Sequence, residues 1–386
     1  MSERIRFVAR LEAGESVAEL AREFGISTKT AYKFWQRWKA EGVEGLQDRS
    51  HAVERIPHKT PPEVIELLVA TRRAHPTWGA RKLKQRLEVT HPGVHTPSSF
   101  TIQSWLKQAG LIQPRRPRRR VVLTPTGLTQ PKEPNDVWAT DFKGQFRLGN
   151  GTLCYPLTAT DLNSRYVLAC DGLESTEGAP VWPIFERLFS QYGLPRIIRS
   201  DNGPPFATRG LAGLSQLSVR WLMLGISHER IEPGQPQQNG SHERMHRTLK
   251  QETTRPAKRN LLQQQERFDE FIAEFNDQRP HQAIDMKCPA DVYRLSPRRY
   301  QGLPELTYPL DDDVRRVDAR AVIKMPDGVQ CYLTHALVGQ TVGIREVDDG
   351  RWLINFAGLN LGYYDERDKA FNQMANFNKP SPISPL

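Results

Sequence analysis

Two stretches that read as strands each finish on an aspartate: VWATDF carries Asp141, and IIRSDNG carries Asp201 just before an Asn-Gly turn. An ionised carboxylate is costly inside a dry core unless it is paired. A strand that ends this way is therefore leaving its sheet, and a metal at the sheet edge is a natural partner. A third acid, Glu243, opens the helical stretch SHERMHRTLKQE after the loop PGQPQQNG. Between these landmarks the pattern runs from alternating strands (LCYPLTATDL, RYVLACDGL, with a turn at Asn163–Ser164) to amphipathic helices such as PVWPIFERLFSQYG. Strands first and helices following predict an α/β mixed sheet flanked by helices over residues 135–300.

The chain has 386 residues, too many for one typical core, so it is expected to be multidomain. At the front, residues 1–50 contain SVAELAREFGISTKTAYKFWQRWKAE, which reads as an all-α helix-turn-helix. Ser16 and Ser27 are plausible N-caps, Gly25 supplies the turn, and Ala21 and Ala31 are the small residues at the helix crossing. Thr28, Lys29, Thr30, Lys33 and Arg37 are then left on the outer face of the second helix, the face that enters the major groove when this motif binds DNA. An ordinary hairpin with a solvated face is the plain alternative. Residues 60–112 repeat the theme as a second helical domain, with Thr101, Gln103, Ser104 and Lys107 as a possible second recognition face. His91 and His95 read as members of a polar loop with Pro92 and Gly93. After residue 308 the texture changes to short alternating strands with turns at Pro326–Asp327–Gly328 and Asp349–Gly350, which predicts a small SH3-like β-barrel over 308–366. A disordered tail is expected over 372–386.

The formal charge of +10 and pI near 9.5 favour a polyanionic partner. The basic residues cluster most densely in the Pro/Arg linker 113–134, where Arg115, Arg116, Arg118, Arg119 and Arg120 stand too close together to pair with local acids. Contact with phosphates is the reading that fits their position between two DNA-handling domains. No apolar run approaches the roughly 20 residues of a membrane span. Four scattered cysteines (Cys154, Cys170, Cys288, Cys331) without CxxC spacing fit a reducing, cytoplasmic setting.

The three acids suit one kind of chemistry. Two metal ions about 3.5–4 Å apart can activate the oxygen that attacks a phosphodiester and stabilise the one that leaves. Mg²⁺ takes oxygen ligands and keeps several waters, so a few carboxylates from rigid elements suffice. Glu229, Glu232 and Glu252 compete with Glu243 for the third position. Glu243 is preferred because its helical neighbours His246, Arg247 and Lys250 would put phosphate-seeking bases on the same face. The plain alternatives are a strand-end cap for Asp141, a turn former for Asp201 and an Arg247 partner for Glu243. Asp161 reads as a hairpin-turn residue.

The ordered blocks WATDF, DLNSRYV, IIRSDNGPPFA, PGQPQQNGSHERMHRTLK and FNDQRPHQAI with PADVY resemble the integrase catalytic core of DDE transposases, an RNase H-like fold, within the IS481-type and IS3-type insertion-sequence groups. The resemblance implies that Asp141, Asp201 and Glu243 are the catalytic, metal-binding triad for Mg²⁺, two ions, with Mn²⁺ as a substitute. It implies that Lys250 and neighbouring bases touch DNA. The partners implied are transposon ends and target DNA, with a homo-oligomer assembled on them in the bacterial nucleoid. One departure stands out. Forty-one residues separate Asp201 from Glu243. The shorter spacing of many relatives would land on Gln237, so GLAGLSQLSVRW is expected to take up the difference as a longer helix entry. The function expected is a transposase that cleaves and joins DNA. The alternative is a DNA-binding regulator or decayed transposase without catalysis.

Overall fold

The computed structural model describes residues 2–49, 60–112, 127–176, 181–232 and 235–374. Residues 2–60 form a unit of their own, and residues from Pro61 onward form a second.

The first unit holds three helices, α1 (Ser2–Glu12), α2 (Val17–Glu23) and α3 (Thr28–Glu41). Phe7, Val8 and Leu11 of α1 meet Leu20, Ala21 and Ala31 in one small core, closed by Leu46. Gly25 has φ +63° in the tight turn between α2 and α3, a conformation that costs a residue with a Cβ. Ser27 caps α3, its hydroxyl accepting from Thr30 N at 3.1 Å. Ser16 stands at the N-cap of α2 without such a bond. The sequence reading lacked α1, whose apolar stripe completes the core.

The second unit opens with α4 (Pro62–Ala74), α5 (Ala80–Thr90) and α6 (Ser99–Gln108), packed around Leu68, Trp78, Leu83 and Ile102. Ser98 caps α6 as Ser27 caps α3, accepting from Thr101 N at 3.2 Å.

The central sheet comprises β1 (Val137–Phe142), β2 (Phe146–Arg147), β3 (Leu153–Asp161), β4 (Val167–Leu173), β5 (Ile197–Ser200) and β6 (Ser227–Arg230). Its order is β4-β3-β1-β5-β6, with short β2 pairing alongside the start of β3. The β4-β3-β1 pairings are antiparallel, and β1-β5-β6 are parallel. This is the mixed sheet expected. Helices α7 (Val181–Tyr192) and α8 (Gln216–Met223) cover one face through Phe185, Phe189, Leu217 and Trp221, packed on Trp138 and Leu157. Helices α9 (Gly240–Thr253) and α10 (Leu261–Asp277) cover the other through Met245, Leu249, Phe268 and Phe271. A short helix, α11 (Pro289–Val292), ends the region. The Tyr293 hydroxyl after it donates to Asn135 Oδ1 at 2.9 Å, tying the last block of the core to the entry of β1.

The C-terminal part differs from the closed barrel expected. Strands β7 (Asp313–Arg316), β10 (Thr341–Asp348), β11 (Arg351–Phe356), β12 (Leu359–Asp365) and β13 (Ala370–Gln373) form an antiparallel sheet in the order β13-β12-β11-β10-β7. Among the described residues, strands β8 (Val322–Lys324) and β9 (Gln330–Tyr332) pair only with each other. Among the described residues no strand pairing joins β7 to β13, so the barrel is not closed. Asp318 causes part of this. Its carboxylate accepts from Arg320 N (2.8 Å) and Val322 N (2.9 Å) and folds the chain out of the β7 ladder before β8 begins. The sheet also runs past the expected limit of 366. Gln373 pairs with Gly362, so residues 372 and 373 belong to β13 rather than to a tail. Residues 375–386 of that tail lie outside the described residues.

The GLAGLSQLSVRW segment is not one long helix entry. It forms a 3-10 turn over Leu211–Gly213, in which Ala212 has φ +56°, and α8 starts afresh at a capping box between Ser215 and Ser218. Leu211, Ala212, Leu214 and Val219 face the C-terminal sheet and share a core with Leu337, Val342, Ile344 and Phe356.

Candidate active site

Register alone puts the two aspartates level. In the parallel β1-β5 pair, Ala139 lies opposite Arg199. Asp141 and Asp201 are each two residues further on, so they sit at the same height at the C-terminal ends of neighbouring strands, which run about 4.8 Å apart. Asp201 follows the last residue of β5, and its Oδ1 accepts from Gly203 N at 3.1 Å. A Cβ on Gly203 would stand 3.3 Å from Asp201 Oδ2, so the turn holds its glycine close against the carboxylate. Glu243 is exposed in the first turn of α9.

Burial pushes the Asp141 carboxyl up to about 7, and the charge of Asp201 pushes the same way. The Phe142 backbone N–H and Lys143 oppose the shift, and Glu243 adds a further rise. Asp141 therefore feels the charge of both other acids. Among the described residues no three His, Cys, Asp or Glu side chains stand together tightly enough to hold an ion outright. The donors are hard oxygens carrying excess negative charge, and that donor set fits a divalent cation of the Mg²⁺ type.

Beneath the carboxylates lies a polar layer that the sequence reading did not find. The inward stripe of α9 is His242, Met245, His246 and Leu249. Thr160 Oγ1 lies 2.7 Å from His242 Nδ1, and Thr158 Oγ1 lies 2.9 Å from His242 Nε2 and 2.7 Å from His246 Nε2. Thr158 Oγ1 also donates to the Asp141 carbonyl at 3.0 Å. One proton assignment satisfies every contact: Thr160 donates to His242 Nδ1, both Nε2–H groups donate to Thr158, and Thr158 donates to Asp141 O. His246 Nδ1 is then a bare acceptor 3.9 Å from Asp141 Oδ2. Burial keeps both rings neutral, with His242 pushed down to about 3 and His246 also lowered. This corrects the reading of His246 as an outward, phosphate-seeking base. The i, i+4 spacing of the two histidines along the apolar stripe of α9 was the signal that marked them as inward.

Two of the three competing glutamates have their carboxylates occupied. Glu229 accepts from Arg199 Nε (2.7 Å) and Thr129 N (2.7 Å), and Glu252 accepts from Arg279 Nη1 (3.0 Å) and from the Thr77 hydroxyl. Glu232 is exposed, with its backbone N–H held by Gln238. Asp161 is a turn residue, accepting from Ser164 N, Ser164 Oγ and Asn135 N. Arg247 and Lys250 are exposed on α9. On α3, Thr28, Lys29 and Lys33 are exposed while Thr30 and Arg37 are half-buried. Arg115, Arg116, Arg118, Arg119 and Arg120 lie outside the described residues.

Comparison with known families agrees with this architecture. Residues 131–236 and 224–289 match Integrase core domain families, residues 3–52 a Helix-turn-helix domain, and residues 30–106 a Homeodomain-like domain. An insertion element IS476 protein of Xanthomonas euvesicatoria, described as uncharacterized, is 28% identical over 225 residues, which is 58% of this chain and 62% of that protein. The chain is thus similar to proteins of insertion elements, with integrase-core and helix-turn-helix matches along it. An IS407 protein of Burkholderia multivorans is 26% identical over 236 residues, 59% of this chain and 78% of its own length. The matched stretch thus spans less than two thirds of the first relative. Among solved structures, the integrase catalytic core of HTLV-2 in complex with magnesium aligns over 43% of this chain and all of its own, at 16% identity and a TM-score of 0.34. No helix among the described residues is long and apolar enough to cross a membrane.

Proposed function

We propose that this chain binds the ends of its element and catalyses DNA cleavage and strand transfer, with Asp141, Asp201 and Glu243 as the residues that would hold Mg²⁺. The observation that carries the reading is the level placement of Asp141 and Asp201 on neighbouring parallel strand ends, with Glu243 near enough to raise the Asp141 pKa. A divalent cation bound there supplies charge neutralisation for the phosphodiester and acidifies a water. The chain's own residues orient the reactants. Thr158 and the two neutral histidines fix the backbone of Asp141. Arg247 and Lys250 offer positive charge beside Glu243. The α3 residues Thr28, Lys29, Thr30, Lys33 and Arg37 serve end recognition, and the arginine run at 115–120 contacts phosphates.

In the cleavage step a water oxygen attacks phosphorus and loses its proton, the P–O3′ bond breaks, and a free 3′-OH and a 5′-phosphate result. In the joining step that 3′-oxygen attacks a target phosphodiester and displaces another 3′-oxygen, so the number of phosphodiesters is conserved. Joining two ends requires at least two copies on DNA, and a nucleoid-associated cytoplasmic setting follows from the substrate. The test is strand transfer by the purified chain on its own element's ends with Mg²⁺. Asp201→Asn is expected to lower cleavage at least 100-fold while leaving end binding within a few-fold. Equal cleavage by the variant overturns the assignment. End binding by the native chain without any joining would favour the DNA-binding regulator instead.

A further inference from the structure

A cavity of about 590 Å³ opens between α5, the β3-β4 turn, α9 and the segment after α10. Its wall carries Lys82, Arg165, Arg244, Arg247 and Arg279, with Asp161 as the one acid among the described lining residues. That acid is already engaged by three donors from Asn135 and Ser164. Arg279 is paired with Glu252. The side chains of Lys82, Arg165, Arg244 and Arg247 make no hydrogen bond or ion pair with any described residue. Arg165 Nε and His281 Nε2 are buried from solvent with no partner. Buried polar atoms left this way are rare in folded proteins and call for an occupant. The cations also oppose one another. Burial lowers the pKa of Arg165, and Arg244 lowers it further. Lys82 is pushed down to about 7 by burial and Arg279. A neutral or cationic occupant would leave this conflict in place, whereas an anion with several acceptor oxygens resolves it.

The position narrows the choice of anion. Thr160 and Asp161 line the cavity, and Asp161 lies opposite Trp138 on β1, three residues from the level of Asp141. At about 3.3 Å per residue the cavity lies about 10 Å from the carboxylates. That distance is about three phosphates of one DNA strand along the helix axis. Arg244 and Arg247 extend from the helix that also carries Glu243.

We infer that this cavity is a seat for a phosphate group, formed where the second helical domain meets the core, in which Lys82, Arg165 and Arg279 receive the phosphate oxygens. The group is either a backbone phosphate of the DNA being processed or a free phosphate compound. The inference rests on the proposed DNA chemistry only for the first of these sources.

The experiment pairs the native chain with the Lys82→Gln/Arg165→Gln double variant. Neither residue belongs to the carboxylate site, and removing two buried cations, one opposed by Arg279 and the other by Arg244, should leave the unliganded fold at least as stable. Lys82→Arg serves as the charge-keeping control. Thermal unfolding is measured without divalent metal, with and without inorganic pyrophosphate. End-DNA affinity is then measured against salt in the Asp201→Asn background and without divalent metal, so that binding is read apart from cleavage. The seat predicts a pyrophosphate-dependent rise in melting temperature that the double variant loses and Lys82→Arg keeps. For DNA as the source, the slope of log affinity on log salt falls by about 1–2, one or two phosphate contacts at about 0.9 each. A pyrophosphate response with an unchanged slope assigns the seat to a free phosphate compound. No pyrophosphate response in the native chain, or an equal one in the double variant, overturns the inference. Failure of strand transfer alone leaves the pyrophosphate result standing, so the two readings fail separately.

Discussion

Asp141 pays for its position. Its carboxyl is pushed from the ordinary 3.8 up to about 7 by burial and by the charge of Asp201, so the ionised form destabilises the metal-free fold. A raised carboxyl contributes its full stability below the unfolded pKa, and that contribution is lost as pH rises through the folded value. Asparagine carries no charge at any pH. Asp141→Asn should therefore melt at nearly the native temperature near pH 4. Its advantage should grow between pH 4 and about 7 and level off above. The shift implies about 1–3 kcal/mol once partial solvent access is allowed for, the side chain being 30% exposed. Thermal unfolding in a chelating buffer across that range checks this, and an advantage independent of pH removes the electrostatic account. On the proposed function Mg²⁺ should narrow the gap, because a cation held by Asp141 would stabilise the native chain and not the variant.

The contact between β3 and α9 is where the sequence reading fell shortest. Strand ends, helix stripes and the Gly25 turn are local signals, and each was legible: β1 and β5 end where Asp141 and Asp201 announce an exit, and Ser27 caps α3. The level placement of the two aspartates needed the β1-β5 register, and the partner of His246 needed the knowledge that Thr158 of β3 lies directly beneath α9. The stripe of α9 marks His246 as inward, but the partner it meets there leaves no trace in local spacing. The closed barrel failed for a related reason, since alternation predicts strands but not which edges meet. Thr158 itself is the test of the polar layer. Thr158→Val keeps the shape and removes one hydroxyl that serves two histidines and a carbonyl, leaving buried donors unmatched. The expected loss is about 2–4 kcal/mol of stability. Replacing Thr160 by valine deprives only His242 Nδ1 and should cost less. Denaturant unfolding of the two variants side by side decides. Equal and small losses would mean the layer is filled by water rather than by this network.

At the scale of the molecule, the extra length between Asp201 and Glu243 joins two parts of the second unit. Leu211, Ala212, Leu214 and Val219 are apolar residues of the core region, yet they are buried against the C-terminal sheet with Val342, Ile344 and Leu361. Without that sheet, the turn would expose a contiguous apolar patch that begins ten residues after Asp201. Without the turn, the sheet would lose part of its inner face, and its strands do not close on themselves to compensate. Each side therefore depends on the other for burial, and the two should unfold together. Leu214→Asp places a charge where 4% of the side chain now meets solvent. The cost is the lost transfer of a leucine plus the desolvation of a carboxylate, about 3–5 kcal/mol. Relief comes by separating the sheet from the core rather than by a local shift. The variant should unfold in two transitions where the native second unit shows one. Limited proteolysis should then cut first in the exposed stretch 301–310, releasing the C-terminal sheet while the core stays intact. A single transition with the native cleavage pattern would mean that the sheet is held by contacts other than this turn.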